Sequence, residues 1–250
     1  MKLTGIFLTL SISALVTGCS NLDGSALQAG MTGLKAATLS DAEVIAMSND
    51  ACQEMDARAE IAPSNSEYTR RLNSIASSLG NEIAGTPVNY KVYMADDVNA
   101  WAMANGCIRV YSGLMDLMDN EEVTGVLGHE MGHVALGHTK RAMQVAAATS
   151  VGRNAAALSS NAAVSAAAQS KLGAMTEALI GAQFSQSQES AADEFSLNLL
   201  VDRGLDTDGL VSAFDKLAAM DSGSSSMFDS HPASEDRAAH LRAMIAEKKK

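Results

Sequence analysis

The pattern of apolar and polar positions along the 250 residues predicts a small sheet between two helical regions. Apolar and polar side chains alternate over residues 88–94, as they do in a half-buried strand, and residues 107–111 form a second such segment. Ser40 is followed three positions later by Glu43, which matches the capping box that opens a helix. We therefore expect an α+β fold that is mainly helical, with a small antiparallel sheet.

A further helix is predicted to begin near residue 120. Asp119 or Asn120 can cap its first turn, and Glu121 and Glu122 suit the positive end of the helix dipole. The apolar residues that follow lie on one face of such a helix and are Val123, Val126 and Leu127. Residues 129–133 therefore fall in the middle of this helix.

The amino terminus has the pattern of a lipoprotein signal peptide. Lys2 precedes an apolar run over residues 6–16, which is shorter than the roughly 20 residues of a membrane-spanning helix. Small residues then lead to Cys19, so we expect residues 1–18 to be removed and Cys19 to be lipidated. An ordinary secretory signal with an incidental cysteine is the alternative. Ser20, in place of Asp, favours anchoring at the outer membrane of a Gram-negative bacterium, facing the periplasm.

The mature chain has the length of one compact domain. Residues 19–38 are small, polar and glycine-containing, and are expected to form a flexible tether. Residues 39–250 are expected to form the folded domain, which is large enough to bury a core of its own.

The cysteines agree with an oxidising compartment. If Cys19 carries lipid, Cys52 and Cys107 remain as an even pair, for which we predict a disulfide. Two free buried thiols are the alternative.

Charge and composition limit the partners of the chain. The formal net charge of −11 argues against a nucleic-acid partner and against electrostatic adhesion to anionic lipid, so a lipid anchor is the expected membrane contact. Residues 142–174 are rich in Ala and Ser and carry only Arg153 and Lys171 as charges. Polar residues interrupt every apolar run there, so we expect Ala-rich helices that shield a cleft, not a membrane span.

The sequence His129-Glu130-Met131-Gly132-His133 carries the clearest chemical signal. Positions four apart share a helix face, so His129 and His133 can bind one zinc ion. Glu130 lies beside them and can take a proton from an attacking water molecule, which makes it the expected general base. Two core histidines are the alternative.

A third metal ligand must come from elsewhere in the chain. His138 lies five residues after His133, which would place it about 140° round a continuing helix and away from the metal. The motif HExxHxxGxxH supplies a third histidine after a glycine break, but this chain has Leu136 and Thr139 at the two required positions.

Glu189 is the expected third ligand. Glu189 and Asp193 form a carboxylate pair one turn apart in a helical context over residues 182–200. Asp193 can accept a hydrogen bond from the second ring nitrogen of a liganding histidine and fix its tautomer. A solvated helix face is the alternative.

HExxH followed by ExxxD resembles the zinc metallopeptidases typified by HtpX and the CAAX prenyl endopeptidase. His231 and Arg237 match the HPxxxxR element of that family. The resemblance implies a gluzincin-like metallopeptidase domain with one Zn²⁺. It also implies that His231 lies near the metal, where it either stabilises the tetrahedral intermediate or masks the ion, and that Arg237 orients acidic groups or substrate.

Asn99, Ala100 and Trp101 resemble the Asn-Ala-aromatic segment that precedes the active-site helix in the same family. The resemblance implies an edge strand along which an extended substrate lies. Trp101 replaces the more usual Phe.

These signals together predict a membrane-anchored periplasmic zinc endopeptidase. The family resemblance suggests misfolded or misassembled envelope proteins as substrates, and other envelope quality-control proteins as partners. A non-catalytic or gated lipoprotein that acts as a chaperone or scaffold in outer-membrane protein assembly is the alternative, although Glu130 would have no chemical purpose in a pure scaffold.

Overall fold

The structure is a computed structural model that describes residues 39–157, 183–220, 227, 230, 231 and 235–248, with the backbone alone for 148–157, 235 and 236. The predicted signal peptide (1–18), Cys19, the tether (19–38) and residues 158–174 lie outside this part. The helices are α1 (Asp41–Arg58), α2 (Glu67–Leu79), α3 (Ser112–Leu117), α4 (Asn120–Ala135), α5 (His138–Ala157), α6 (Gln186–Asp202), α7 (Asp208–Ala218) and α8 (Glu235–Lys248). The strands are β1 (Glu82–Ile83), β2 (Thr86–Pro87), β3 (Asn89–Tyr93), β4 (Ala100–Ala102) and β5 (Cys107–Tyr111).

Side-chain caps fix the starts of the helices that matter for the site. Asp119 caps α4 by accepting a hydrogen bond from the backbone N–H of Glu122, and the Glu122 side chain accepts one in return. Ser40 opens α1 with the predicted capping box. Ser185 opens α6 in the same way. Each cap contributes about 1 kcal/mol and sets the residue at which the helix begins.

The predicted α+β, mainly helical fold is confirmed, and the sheet contains one pairing of unexpected direction. β5 lies between β3 and β4. The β4–β5 and β1–β2 pairs are antiparallel, as expected, whereas β3 and β5 run parallel. The difference arises because the chain leaves β3, forms β4 at the opposite edge, and returns between them as β5.

Helix α4 forms the centre of the molecule. Every residue from Glu122 to His133 is buried. One side of α4 contacts α2 and β4, and the other side packs on α6 and α7. The core around α4 consists of aliphatic residues and methionines, including Leu72, Ile108, Leu127, Met131, Leu197 and Leu210. The residues of the predicted metal site are therefore held by the most enclosed element of the fold.

Cys52 and Cys107 form the predicted disulfide and join α1 to β5. Beside it, the guanidinium of Arg109, only 1% exposed, makes two bonds to the carboxylate of Asp56. Burial opposes ionisation of Asp56, but bonds from Arg109, Lys91 and Tyr93 outweigh it and lower the pKa of Asp56 to about 2. We call these four residues the Asp56 cluster.

The Ala- and Ser-rich segment begins inside α5, which agrees with a helical first half as far as Ala157. No helix within the described ranges is long and apolar enough to cross a bilayer.

Candidate metallopeptidase active site

Helices α4 and α6 bring the three predicted ligands together. Nε2 of His129 and Nε2 of His133 are 3.0 Å apart. Nε2 of His133 lies 3.3 Å from Oε1 of Glu189, and Nε2 of His129 lies 3.5 Å from Oε2 of the same carboxylate. All three side chains are at most 1% exposed. The spacing in the sequence had placed the two histidines on one face, and the fold adds the carboxylate from the neighbouring helix.

Two glycines allow α4 and α6 to approach so closely. A Cβ atom added to Gly128 would lie 2.5 Å from Oγ of Ser196, and one added to Gly132 would lie 2.9 Å from the carbonyl oxygen of Ala192. The second contact is with backbone, which cannot move aside without shifting α6. Glycine at 132, within the HExxH motif, is therefore part of what places Glu189 beside His133.

His231 supplies a fourth donor to the same point. Its Nδ1 lies 3.2 Å from Nε2 of His129 and 3.1 Å from Oε1 of Glu189. The ligand atoms of His129, His133, Glu189 and His231 all lie within 4.8 Å of one another. We call these four residues the metal cluster.

The metal cluster fits a divalent ion in size and chemistry. Zinc–nitrogen bonds of about 2.0–2.1 Å put the corners of a tetrahedron about 3.3 Å apart. Five pairs of these donor atoms are separated by 3.0–3.5 Å. Burial lowers the pKa of His133, and hydrogen bonds from His133 and His231 lower the pKa of Glu189 although burial opposes this. A neutral imidazole and an ionised carboxylate are the states that bind metals.

Glu130 lies against the metal cluster without being part of it. It is 2% exposed, and its Oε1 is 3.4 Å from Nε2 of His231. Oε1 has no hydrogen-bond partner in the described residues, while the backbone N–H of Ala102 hydrogen bonds to the carboxylate. Burial raises the pKa of Glu130 above its usual value, although His231 and His129 partly offset this.

Asp193 and Arg237 form a second layer behind the ligands. Oδ1 of Asp193 lies 2.8 Å from Nδ1 of His129, as the sequence predicted. The guanidinium of Arg237 donates to both oxygens of Asp193 and lies 2.5 Å from Oε2 of Glu189. Its flat face rests on the ring of Phe214, 4.5 Å away. Arg237 therefore holds the two carboxylates of α6 in fixed positions.

The expectation that His138 points away from the metal assumed that the helix of His133 continues. This assumption was wrong. Helix α4 ends at Ala135, and Gly137 takes the left-handed conformation with φ 72° before α5 begins. Nδ1 of His138 then lies 3.1 Å from Nδ1 of His133, on the side of the ring that faces away from the metal cluster. His138 is thus outside the ligand set, as expected, but beside a ligand. Burial lowers the pKa of His138.

The segment at Asn99–Trp101 lies next to Glu130. β4 pairs with β5 only, among the described strands, so it is an edge of this sheet. Trp101 and Glu130 line one cavity of about 30 Å³, which is large enough for a water molecule. Asn99 is buried, its backbone C=O accepts from the N–H of Tyr111, and its side-chain Oδ1 has no partner in the described residues.

Two further residues of this cavity were not predicted from the sequence. Phe184 stacks on His133 with ring centroids 3.9 Å apart and also lines the cavity. Thr139, at the start of α5, lines it as well. Neither belongs to a recognisable motif: Thr139 follows the break at Gly137, and Phe184 comes just before the residue that caps α6.

Comparisons with known proteins agree with this geometry. The model of peptidase family M48 matches residues 64–245. Metalloprotease LoiP of Escherichia coli K12 is 55% identical over 97% of this chain and 96% of its own length. Metalloprotease YcaL of the same strain is 52% identical over 98% and 99%. The beta-barrel assembly-enhancing protease of Yersinia pestis is 30% identical over 73% of this chain and 39% of its own length. These matches confirm the predicted family resemblance, and this chain belongs to peptidase family M48, a family of metallopeptidases.

Proposed function

We propose that the chain is a zinc endopeptidase in which His129, His133 and Glu189 hold the metal. The convergence of these three buried donors from two helices is the observation that carries the proposal. A bound zinc ion supplies a Lewis acid that polarises a carbonyl group and lowers the pKa of water. Zinc is the metal that His and carboxylate donors at tetrahedral spacing favour.

Glu130 moves the proton. Its carboxylate faces the cavity beside His231, and its Oε1 is free to accept a hydrogen bond. Burial raises the pKa of Glu130 above its usual value, which favours the protonated form, so Glu130 can take a proton from the attacking water and return it to the leaving amine. The N–H of Ala102 fixes the orientation of the carboxylate from the adjacent strand.

In the described conformation, His231 covers the site formed by the three proposed ligands His129, His133 and Glu189. Its Nδ1 stands at the fourth corner, which an open catalytic site keeps for water or substrate, and its Nε2 points to Glu130. This supports the masking role over stabilisation of the intermediate. Glu130 and Glu189 raise the pKa of His231 although burial opposes protonation. We infer that His231 must leave this position before substrate is cut.

Substrate would lie extended along β4 and be cut within the chain. An edge strand offers backbone hydrogen bonds to any extended polypeptide and does not require a free terminus. Asn99, Ala100 and Trp101 belong to or adjoin this strand, and Trp101 lines the cavity beside Glu130. An extended peptide on β4 would therefore pass close to the proposed general base.

The proposed setting is the periplasmic face of the outer membrane of a Gram-negative bacterium, with a lipid anchor on Cys19. The sequence pattern around Cys19 supports the anchor, and the disulfide between Cys52 and Cys107 suits an oxidising compartment. One relative is named a beta-barrel assembly-enhancing protease. We propose that the substrates are misfolded or misassembled envelope proteins, and that other envelope quality-control proteins are partners.

The second candidate function is a gated or non-catalytic chaperone or scaffold for outer-membrane protein assembly. The position of His231 over the three proposed ligands favours it, because a covered site does not turn over substrate.

Zinc content and casein cleavage, measured on the protein that starts after Cys19, test the proposal with Glu130→Gln as the paired variant. We expect one zinc per chain in both proteins and cleavage by the wild type alone. If both proteins bind zinc and neither cuts, the gated or scaffold function takes precedence. Absence of zinc from both would contradict the metal site itself.

A further inference from the structure

In each histidine of the HExxH motif, the ring nitrogen that does not face the metal site has a hydrogen-bond partner that holds the ring in place. Both rings turn Nε2 toward the metal cluster, so both Nδ1 atoms face away from it. Nδ1 of His129 meets the carboxylate of Asp193 at 2.8 Å. Nδ1 of His133 meets Nδ1 of His138 at 3.1 Å. The two ligands therefore have different partners on the far side, a carboxylate for one and an imidazole for the other.

A break between two helices creates the contact with His138. In a continuing helix, His138 would lie about 140° away from His133. The left-handed conformation of Gly137 ends α4, and α5 then begins at His138 itself. The reversal brings the two rings to a centroid distance of 5.1 Å with an interplanar angle of 66°. Space beside Gly137 is open, so backbone conformation, not crowding, requires glycine there.

His133 has a proton to place at this contact. An imidazole that binds a metal through Nε2 carries its hydrogen on Nδ1, and a buried N–H without an acceptor is destabilising. His133 is fully buried. Phe184 covers its ring at 3.9 Å but offers no acceptor. Within the described residues, Nδ1 of His138 is the hydrogen-bond partner of Nδ1 of His133.

We propose that His138 is a positioning residue for the second metal ligand. Nδ1 of His138 accepts the hydrogen bond that Nδ1–H of His133 donates, which leaves the Nε2 lone pair of His133 directed at the metal. His138 carries its own hydrogen on Nε2 in this arrangement. This inference rests on the proposed metal site and adds a residue that contacts neither metal nor substrate.

Zinc affinity of the variants at 138 tests the proposal, measured by competition with a zinc chelator. His138→Leu and His138→Phe remove the acceptor, and Phe keeps an aromatic ring against His133 and Phe184. Both are expected to bind zinc about 10–100-fold more weakly than the wild type. His138→Asn places an acceptor oxygen near the position of Nδ1 and is expected to stay within a few-fold of the wild type.

The visible spectrum of the cobalt-substituted proteins gives a second readout. The Leu and Phe variants should show an altered ligand field, and the Asn variant should resemble the wild type. Thermal unfolding of the metal-free proteins shows whether each variant is folded, and the Phe variant carries the test if Leu does not fold. Zinc affinity of the acceptor-free variants within about twofold of the wild type would overturn the proposal. Equal losses in folded Phe and Asn variants would also overturn it. A wild type that binds no zinc would instead remove the proposed function.

Discussion

Two groups of charged side chains in the described part of the chain, the Asp56 cluster and the residues around the metal cluster, differ in how completely their charges are paired. In the Asp56 cluster, Oδ1 accepts from Tyr93 and Arg109, and Oδ2 accepts from Lys91 and Arg109. Beside the metal cluster, Oε1 of Glu130 accepts no hydrogen bond from the described residues. One carboxylate is fully satisfied by its neighbours, and the other keeps an acceptor available.

The two carboxylates have opposite protonation behaviour for this reason. Bonds to Asp56 outweigh its burial and lower its pKa to about 2, whereas burial raises the pKa of Glu130. A carboxylate that stays ionised can hold the buried charge of Arg109 in place. A carboxylate with a raised pKa holds a proton more readily than an ordinary one. The Asp56 cluster therefore contributes to stability, whereas Glu130 keeps the free acceptor that its proposed role as general base requires.

The largest expected effect comes from Glu130→Gln. Loss of a general acid–base group lowers turnover about 10²–10⁴-fold. Because the neutral amide of Gln removes the cost of burying a charged carboxylate, thermal stability should stay the same or rise. Casein cleavage and thermal unfolding measure the two properties. Glu121→Gln, an exposed position on the same helix, should change neither. A large fall in the stability of Glu130→Gln would show that the Glu130 carboxylate stabilises the fold, as Asp56 does.

Asp56→Asn should have the opposite effects, with a loss of stability and little change in cleavage. It leaves the buried charge of Arg109 without its anion, and because Asp56 itself is partly exposed, the loss should stay below the roughly 3–5 kcal/mol of a fully buried pair. Urea unfolding should show this loss, while cleavage per folded molecule stays near that of the wild type. Glu54→Gln breaks a solvent-exposed pair with Arg58 on the same helix and should cost about 0.5 kcal/mol or less. Equal losses from both variants would show that burial of the pair has no weight.

Gly132→Ala should lower both the stability of the fold and the affinity for zinc, by smaller amounts. The added methyl group meets the backbone of Ala192, so α6 must shift, at a cost of about 1–3 kcal/mol. Because Glu189 lies on α6, zinc affinity should also fall. Gly125→Ala is the control, since its methyl group would meet Leu210 on α7 instead. It should cost similar stability and leave zinc affinity in place, as chelator competition can show.

The smallest expected effect is the change with acid pH in the contribution of Asp56 to the free energy of unfolding. The pKa of Asp56 is lower in the folded protein than its ordinary 3.8, so its stabilisation is present above pH 4 and declines as pH falls toward 2. The difference in unfolding free energy between wild type and Asp56→Asn should therefore narrow between pH 5 and about pH 2. Titrations shared by both proteins cancel in this difference. A constant difference over that range would show that Asp56 does not titrate in it.

Features that depend on neighbours in the chain were determined by the sequence. The spacing of His129 and His133 puts both rings on one helix face, and the capping residues Ser40 and Asp119 mark helix starts, because hydrogen bonds within one turn decide these features. Glu189 could be expected as the third ligand from its pairing with Asp193 one turn away and from the family resemblance.

Only the tertiary structure decided which distant groups meet. The parallel pairing of β3 with β5 follows from the path of the chain around β4. The family resemblance implied that His231 lies near the metal, and the tertiary structure decides that its Nδ1 stands 3.2 Å from Nε2 of His129, at the fourth corner of the site. His138 returns to His133 because Gly137 reverses the backbone, although helical periodicity alone had directed it away. Local spacing fixes the direction of a side chain only while the element continues, and beyond its end the packing of the whole chain sets the contacts.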